Sequence, residues 1–185
     1  MPAAGDIAPA RRGAPPAQRV TRVLGVDPGL ASTGYAVLEG GPSRLAVVAL
    51  GTVRTSPRTD HPARLRAIHD VIAGLVADHA PGSAAVEAWF VHPVSRSAMA
   101  MAEARGAILV ALAGAGLRVA EYAPNTIKQA VTGHGGAGKG QVRAMVARLT
   151  GEDAESDHAA DALAAAICHL SSAPVRGAIG RAQRA

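Results

Sequence analysis

The run Thr21 to Val26 is β-branched and apolar and stops at Asp27-Pro28-Gly29. It reads as a strand running into a turn. Thr33 to Leu38, ended by Glu39-Gly40-Gly41-Pro42, is a second strand, and Leu45 to Val53 is a third. The short connections predict an antiparallel meander. The period then changes. Leu65, Ile68, Ile72, Leu75 and Val76 recur at helical spacing, which predicts an amphipathic helix over 61–79. Ala84 to Glu87 is a short buried strand, 95–114 a second helix, Leu117 to Tyr122 a fifth strand, and 124–131 a short helix. Residues 133–140 hold five glycines, too many for regular structure, and predict a mobile loop. Residues 141–149 and 158–170 are the last two helices.

Three strands, followed by helices alternating with two more, imply an α/β fold. Its centre is a five-stranded mixed sheet with helices on both faces, and the later connections are long enough for right-handed crossovers. This is the element order of a ribonuclease-H-like fold.

Composition changes this picture only at the ends. Residues 1–20 are rich in Ala, Pro, Gly and Arg without periodicity and read as a disordered leader. Residues 172–185 read as a basic flexible tail, which leaves one domain over 21–171. The net charge of +5 divides into +2 from the leader (Arg11, Arg12 and Arg19 against Asp6) and +3 from the tail (Arg176, Arg181 and Arg184). The domain itself is balanced, so the basic pI does not by itself mark a nucleic-acid-binding core. The aromatics are Tyr35, Trp89, Phe90 and Tyr122, so the core is aliphatic and the adjacent pair Trp89-Phe90 stands out. A single cysteine, Cys168, lies in an apolar run. It excludes an internal disulfide framework and fits a small core residue in a reducing compartment. No apolar run reaches the roughly 18 residues of a membrane span, and the N-terminus lacks a signal-peptide pattern. The expectation is a cytoplasmic protein.

The chemistry sits in the acids. Asp27 ends the first strand, where open α/β sheets place their sites, although Asp-Pro-Gly alone is ordinary turn chemistry. Glu87 ends a strand too apolar to be a solvated edge, so its carboxylate needs a partner, a nearby Arg or a site. In Asp157-His158-Ala159-Ala160-Asp161, Asp157 and His158 each share a helix face with Asp161. An acid at Asp157 fits a capping role at the positive end of the helix. Asp161 lies among small apolar residues and faces the interior or a site. There is no thiolate cluster for zinc. Three carboxylates and one imidazole suit Mg²⁺, or Mn²⁺, which also accepts nitrogen. Two such ions about 3.5–4 Å apart serve phosphodiester hydrolysis.

Leu24-Gly25-Val26-Asp27-Pro28-Gly29 with Thr33-Gly34-Tyr35 resembles the opening motif of the RuvC family of Holliday-junction endonucleases. Val86-Glu87-Ala88-Trp89-Phe90 resembles its second motif, and His158-Ala159-Ala160-Asp161-Ala162-Leu163-Ala164 its final acidic helix. Glu103 to Gly106, Val119 to Pro124 and Ile127 to Val131 resemble its middle, so the likeness runs over about 22–170. The resemblance implies a structure-selective endonuclease that resolves junctions in recombination and repair. It implies symmetric nicking of two like strands with two Mg²⁺ or Mn²⁺ ions per site. The implied ligands are Asp27, Glu87 and Asp161. The fourth position, Asp in many members, is His158 here, either a ligand or a general base. Phe90 would stack at the junction centre, and Lys128 and Lys139, the only lysines, would contact phosphates. A homodimer is implied, for which the helix carrying Met99, Met101, Ile108, Leu109 and Leu112 could supply the face. A branch-migration complex of the RuvA and RuvB type is the implied protein partner. Two other readings compete: an actin-like nucleotide-binding fold, for which no second Asp-Gly phosphate loop is found, and a junction-binding protein disabled by His158.

Overall fold

The computed structural model describes residues 21–41, 44–88 and 95–182. The leader expected over 1–20, and Trp89 and Phe90, lie outside the described residues. The elements follow in the order β1 Thr21–Asp27, β2 Ser32–Gly41, β3 Arg44–Arg54, α1 His61–His79, β4 Ser83–Glu87, α2 Arg96–Gly114, β5 Val119–Tyr122, α3 Pro124–Thr132, α4 Lys139–Thr150 and α5 Asp157–Ala182. The sheet order is β3-β2-β1-β4-β5. β1–β2 and β2–β3 are antiparallel, and β1–β4 and β4–β5 are parallel. Central β1 therefore joins the meander to the crossover half, as the element order implied.

Strand alternation divides the core into two compartments. Val23, Ala36, Leu38 and Ala85 face α5, with Ile127 and Val131 of α3 and Val142 and Val146 of α4 completing that layer. Leu24, Val26, Val37, Ala84 and Val86 face α1 and α2 through Ile68, Ile72, Ala104, Ile108 and Leu112. Cys168 is fully buried, as a core residue should be.

Local chemistry fixes the helix ends. The Asp60 carboxylate accepts from the Ala63 N–H at the start of α1, and Ser95 accepts from the Ala98 N–H at the start of α2, each satisfying a first-turn donor. α1 ends on Ala80, whose φ of 44° is left-handed. By length and composition, α2 is apolar enough to cross a membrane. That departs from the expectation of no apolar run of such length, although Glu103 and Arg105 lie within it. Glu103 pairs with His61 and Arg105 with Glu121, while Ile108 and Leu112 fill the core.

Two expectations are refined. The glycine-rich segment is without regular structure over 133–138, as expected, and its backbone is hydrogen-bonded to flanking side chains. Gly133 caps α3 at φ 79°. Gln129 Nε2 donates to the Gly133 carbonyl, and Gln129 Oε1 accepts from the Gly135 N–H. Gln141 Oε1 accepts from the Gly138 N–H, and α4 already begins at Lys139. The glycines expose backbone groups that two glutamines bind. The last helix also runs on past the expected stop at Leu170 to Ala182. The Ser171 and Ser172 hydroxyls donate back to the Ile167 and Cys168 carbonyls, so these polar residues continue the helix instead of ending it.

Candidate active site

Val26 pairs with Val86 in the parallel β1–β4 ladder. The next residue of each strand is an acid, so Asp27 and Glu87 close neighbouring strands side by side. Both continue the strand faces of Gly25 and Ala85, towards α5. The third acid comes from the first turns of α5, where His158 and Asp161 share one helix face. Asp27, Glu87, His158, Asp161, Lys128 and Lys139 line one pocket at this end of the sheet.

α5 can reach the strands because two strand positions are glycine. A methyl built at Gly34 would fall 1.9 Å from the His158 carbonyl oxygen, and one at Gly25 would fall 2.1 Å from that of Ala162. Helix backbone rests directly on strand backbone, with Ala159, Ala162 and Ala166 completing the seam. A strand glycine often marks such a close approach; that was the available sequence signal for a feature the motifs alone did not expose. The start of α5 is fixed by Ser156, whose Oγ accepts from the Ala159 N–H and lies 2.6 Å from the Thr52 hydroxyl of β3. This corrects the capping role expected of Asp157. That carboxylate is exposed, lies 4.0 Å from Arg143 and opens the first turn without capping it.

His158 Nδ1 lies 2.7 Å from Asp27 Oδ2. When Asp27 is ionised, Nδ1 donates to it, and in a neutral imidazole Nε2 is then the acceptor nitrogen. Burial raises the Asp27 pKa, opposed by His158 and by Lys139. Glu87 is pushed up to about 7 by burial and then by the charges of Asp27 and Asp161. Asp161 is pushed up to about 6 by burial and then by Asp27. Lys139 lowers all three and Lys128 lowers Glu87. Three carboxylates are thus held where they repel one another and resist ionisation, in a crevice with two cationic side chains.

That donor set fits a hard divalent cation. Oxygen ligands dominate, one imidazole edge is available, and an added positive charge would relieve the repulsion that raises Glu87 and Asp161. Among the described residues no three acidic, His or Cys side chains are already drawn into a closed cage; the donors line a wall. Met101, Pro124, Ile127 and Val142 form the apolar part of the pocket, and no motif had pointed to them in that role. Of the apolar residues expected on a dimer face, Ile108 and Leu112 belong to the chain's own core and Met101 lines the pocket. Met99 and, in addition, Val110 are the exposed ones on α2. Phe90, expected at the junction centre, lies outside the described residues.

A mixed sheet in this order, carrying acids at adjoining strand ends and on the helix laid across them, defines a ribonuclease-H-like hydrolase. A family model described as crossover junction endodeoxyribonuclease RuvC matches residues 23–169. A protein of that description from Alkalilimnicola ehrlichii is 48% identical over 162 residues, covering 87% of this chain and 98% of its own. One from Burkholderia ambifaria is 46% identical, covering 86% and 87%. The structure of Thermus thermophilus RuvC in complex with Holliday junction substrate superposes with a TM-score of 0.79 at 34% identity, over 84% of this chain and 96% of that one. The chain belongs to the crossover junction endodeoxyribonuclease RuvC family, which is one of metal-dependent nucleases.

Proposed function

We propose that this chain resolves four-way DNA junctions as a homodimer, nicking two like strands with Asp27, Glu87 and Asp161 as ligands of two Mg²⁺ or Mn²⁺ ions. The observation that carries the reading is the convergence of these mutually repelling carboxylates in one pocket with Lys128 and Lys139. The chemistry a divalent pair supplies in such a pocket is activation of water and neutralisation of charge on the phosphodiester. The protein's own groups do the rest. Lys128 and Lys139 hold the strand by its phosphates. Asp27 orients His158 so that Nε2 is presented as the acceptor, either as a fourth ligand or for the proton of the attacking water. Phe90 follows Glu87 closely in sequence and is assigned to stacking on an unpaired base at the crossover. The exposed Met99 and Val110 of α2 support a dimer contact on that helix, which would match the two-fold character of the substrate. A branch-migration complex of the RuvA and RuvB type is the proposed protein partner, and the cytoplasm the proposed location.

The test is nicking of a synthetic four-way junction in Mg²⁺, in Mn²⁺ and in chelator. Cleavage should require the cation, and Asp27→Asn should abolish it while junction binding in chelator persists. His158→Ala should slow nicking and Asp157→Asn should leave it nearly unchanged. Cation-independent cleavage, or loss with Asp157→Asn but not with His158→Ala, would overturn the assignment. Junction binding by the wild-type chain without nicking in either metal would restore the reading of a binding protein without catalysis.

A further inference from the structure

Two flanks of the pocket differ sharply in charge. Beside α5, the segment 152–157 carries Glu152, Asp153, Glu155 and Asp157. These acids engage the arginines within reach: Arg143 pairs with Asp153 and Asp157, and Arg54 lies 3.9 Å from Glu155. The flank formed by α3 and α4 offers Lys128 and Lys139.

The β3–α1 turn, Thr55 to Asp60, follows β3 and is bonded to the loop after Asp27. Among the described residues its Arg58 is exposed and pairs with no carboxylate. Arg64, one turn into α1, donates Nε to the Thr55 hydroxyl and also has no carboxylate partner among the described residues. Thr55 in turn donates to the Leu30 carbonyl at 2.5 Å, and its N–H donates to the Ala31 carbonyl. Leu30 and Ala31 belong to the loop that follows Asp27. The turn is therefore bonded to that loop. Arg64 is held at its base through Nε, which leaves the two terminal nitrogens of its guanidinium to a ligand. The acids nearby are occupied: Asp60 caps α1, and Glu103 pairs with His61. The next arginine, Arg66, is neutralised by Asp70.

We propose that the β3–α1 turn is a second phosphate-binding bank for the DNA junction, with Arg58 and Arg64 contacting the backbone that leaves the active site opposite Lys128 and Lys139. The proposal rests on the nuclease reading of the pocket. A strand held by the lysines at Asp27 would continue past the loop that follows Asp27, to which this turn is bonded. Guanidinium groups suit the role because they reach two phosphate oxygens at once without reading sequence. The bank carries no cleavage chemistry; it sets how the arm is held.

The full-length chain is titrated with a fluorescent four-way junction in chelator, where no nicking occurs, across a range of monovalent salt. Removing one cation that binds a phosphate should lower the slope of log affinity against log salt by about one. Arg58→Ala is expected to lower it by about one, and Arg58→Ala with Arg64→Ala by about two. Arg58→Lys should retain the slope, and Arg66→Ala should match wild type. The KM for junction nicking should rise in the same order. Slopes and KM values for Arg58→Ala and the double variant equal to those of Arg66→Ala would refute the bank. Should Arg64→Ala fail to fold, Arg58→Ala alone decides, because its side chain supports nothing in the fold. Wild-type nicking in Mn²⁺ is measured in parallel, and its absence would count against the nuclease reading and not against the bank.

Discussion

Replacing Gly34 by alanine adds one methyl, and the geometry fixes what it must do. The new carbon would sit 1.9 Å from the His158 carbonyl oxygen and 2.3 Å from its carbon. Unbonded carbon and oxygen do not approach within about 3 Å, so α5 must retreat from β2 by about 1.1 Å at that point. Neither neighbour yields easily, because β2 is bonded on both edges and the clashing atoms are helix backbone. Directed along the His158–Asp27 contact, a shift of that size would lengthen it from 2.7 Å to as much as about 3.8 Å, beyond a hydrogen bond. Overpacking of this kind costs about 1–3 kcal/mol of stability. A 1 Å displacement of reacting groups costs on the order of 10²-fold in rate. Gly34→Ala should therefore nick junctions about a hundredfold more slowly at a temperature where it remains folded, and should bind Mn²⁺ more weakly by calorimetry. The control is the same chemical change at Gly74 in α1, where nothing lies within 4 Å of the added carbon. There alanine should raise stability by about 0.5–1 kcal/mol through helix propensity and leave nicking unchanged. If Gly34→Ala nicks at a rate close to wild type, the close seat of α5 does not set the site.

Other outcomes follow from the same geometry. Glu87 and Asp161 titrate near 7 and 6, above their ordinary 4.5 and 3.8. Groups raised in this way stabilise the fold below their unfolded pKa and lose that contribution as pH rises through the folded value. In chelator the melting temperature should therefore fall between about pH 4 and pH 8, and Mn²⁺ should restore it. Asp161→Asn should melt higher than wild type at about pH 8 in chelator while losing nicking; a lower melting point would contradict the repulsion. Ser156→Ala removes a cap and the contact to Thr52, so denaturant titration should show a loss of about 1 kcal/mol, together with slower nicking. Ala80→Gly relaxes a left-handed residue at φ 44°. It should stabilise by roughly 0.5–1 kcal/mol, read from the same titration.

The ten elements and the three acids were legible because each leaves a local mark. Strand periodicity ended at Asp27 and Glu87, and helix spacing put Asp161 on the face of His158. What was not legible depends on contacts between distant segments. Asp157 has the chemistry of a cap, but Ser156 holds that position because its hydroxyl is also anchored by Thr52, 104 residues away in sequence. The glycines of 133–140 marked a loop; the hydrogen bonds from Gln129 and Gln141 to its backbone left no such local mark. Ile108 and Leu112 are as apolar as an interface residue. Only the sheet packed against them shows that they are already covered.

The two-compartment core has a consequence for anyone wishing to redesign this enzyme. On the α5 face the seam is backbone against backbone at Gly25 and Gly34 with alanines between, so enlargement at those glycines displaces the helix that carries His158 and Asp161. On the α1–α2 face the same sheet meets Ile68, Ile72, Ile108 and Leu112, and Gly74 of α1 stands in open space. Robustness can be engineered into that second layer with little disturbance to turnover. The first layer is the natural place to tune turnover and a poor one for raising heat tolerance.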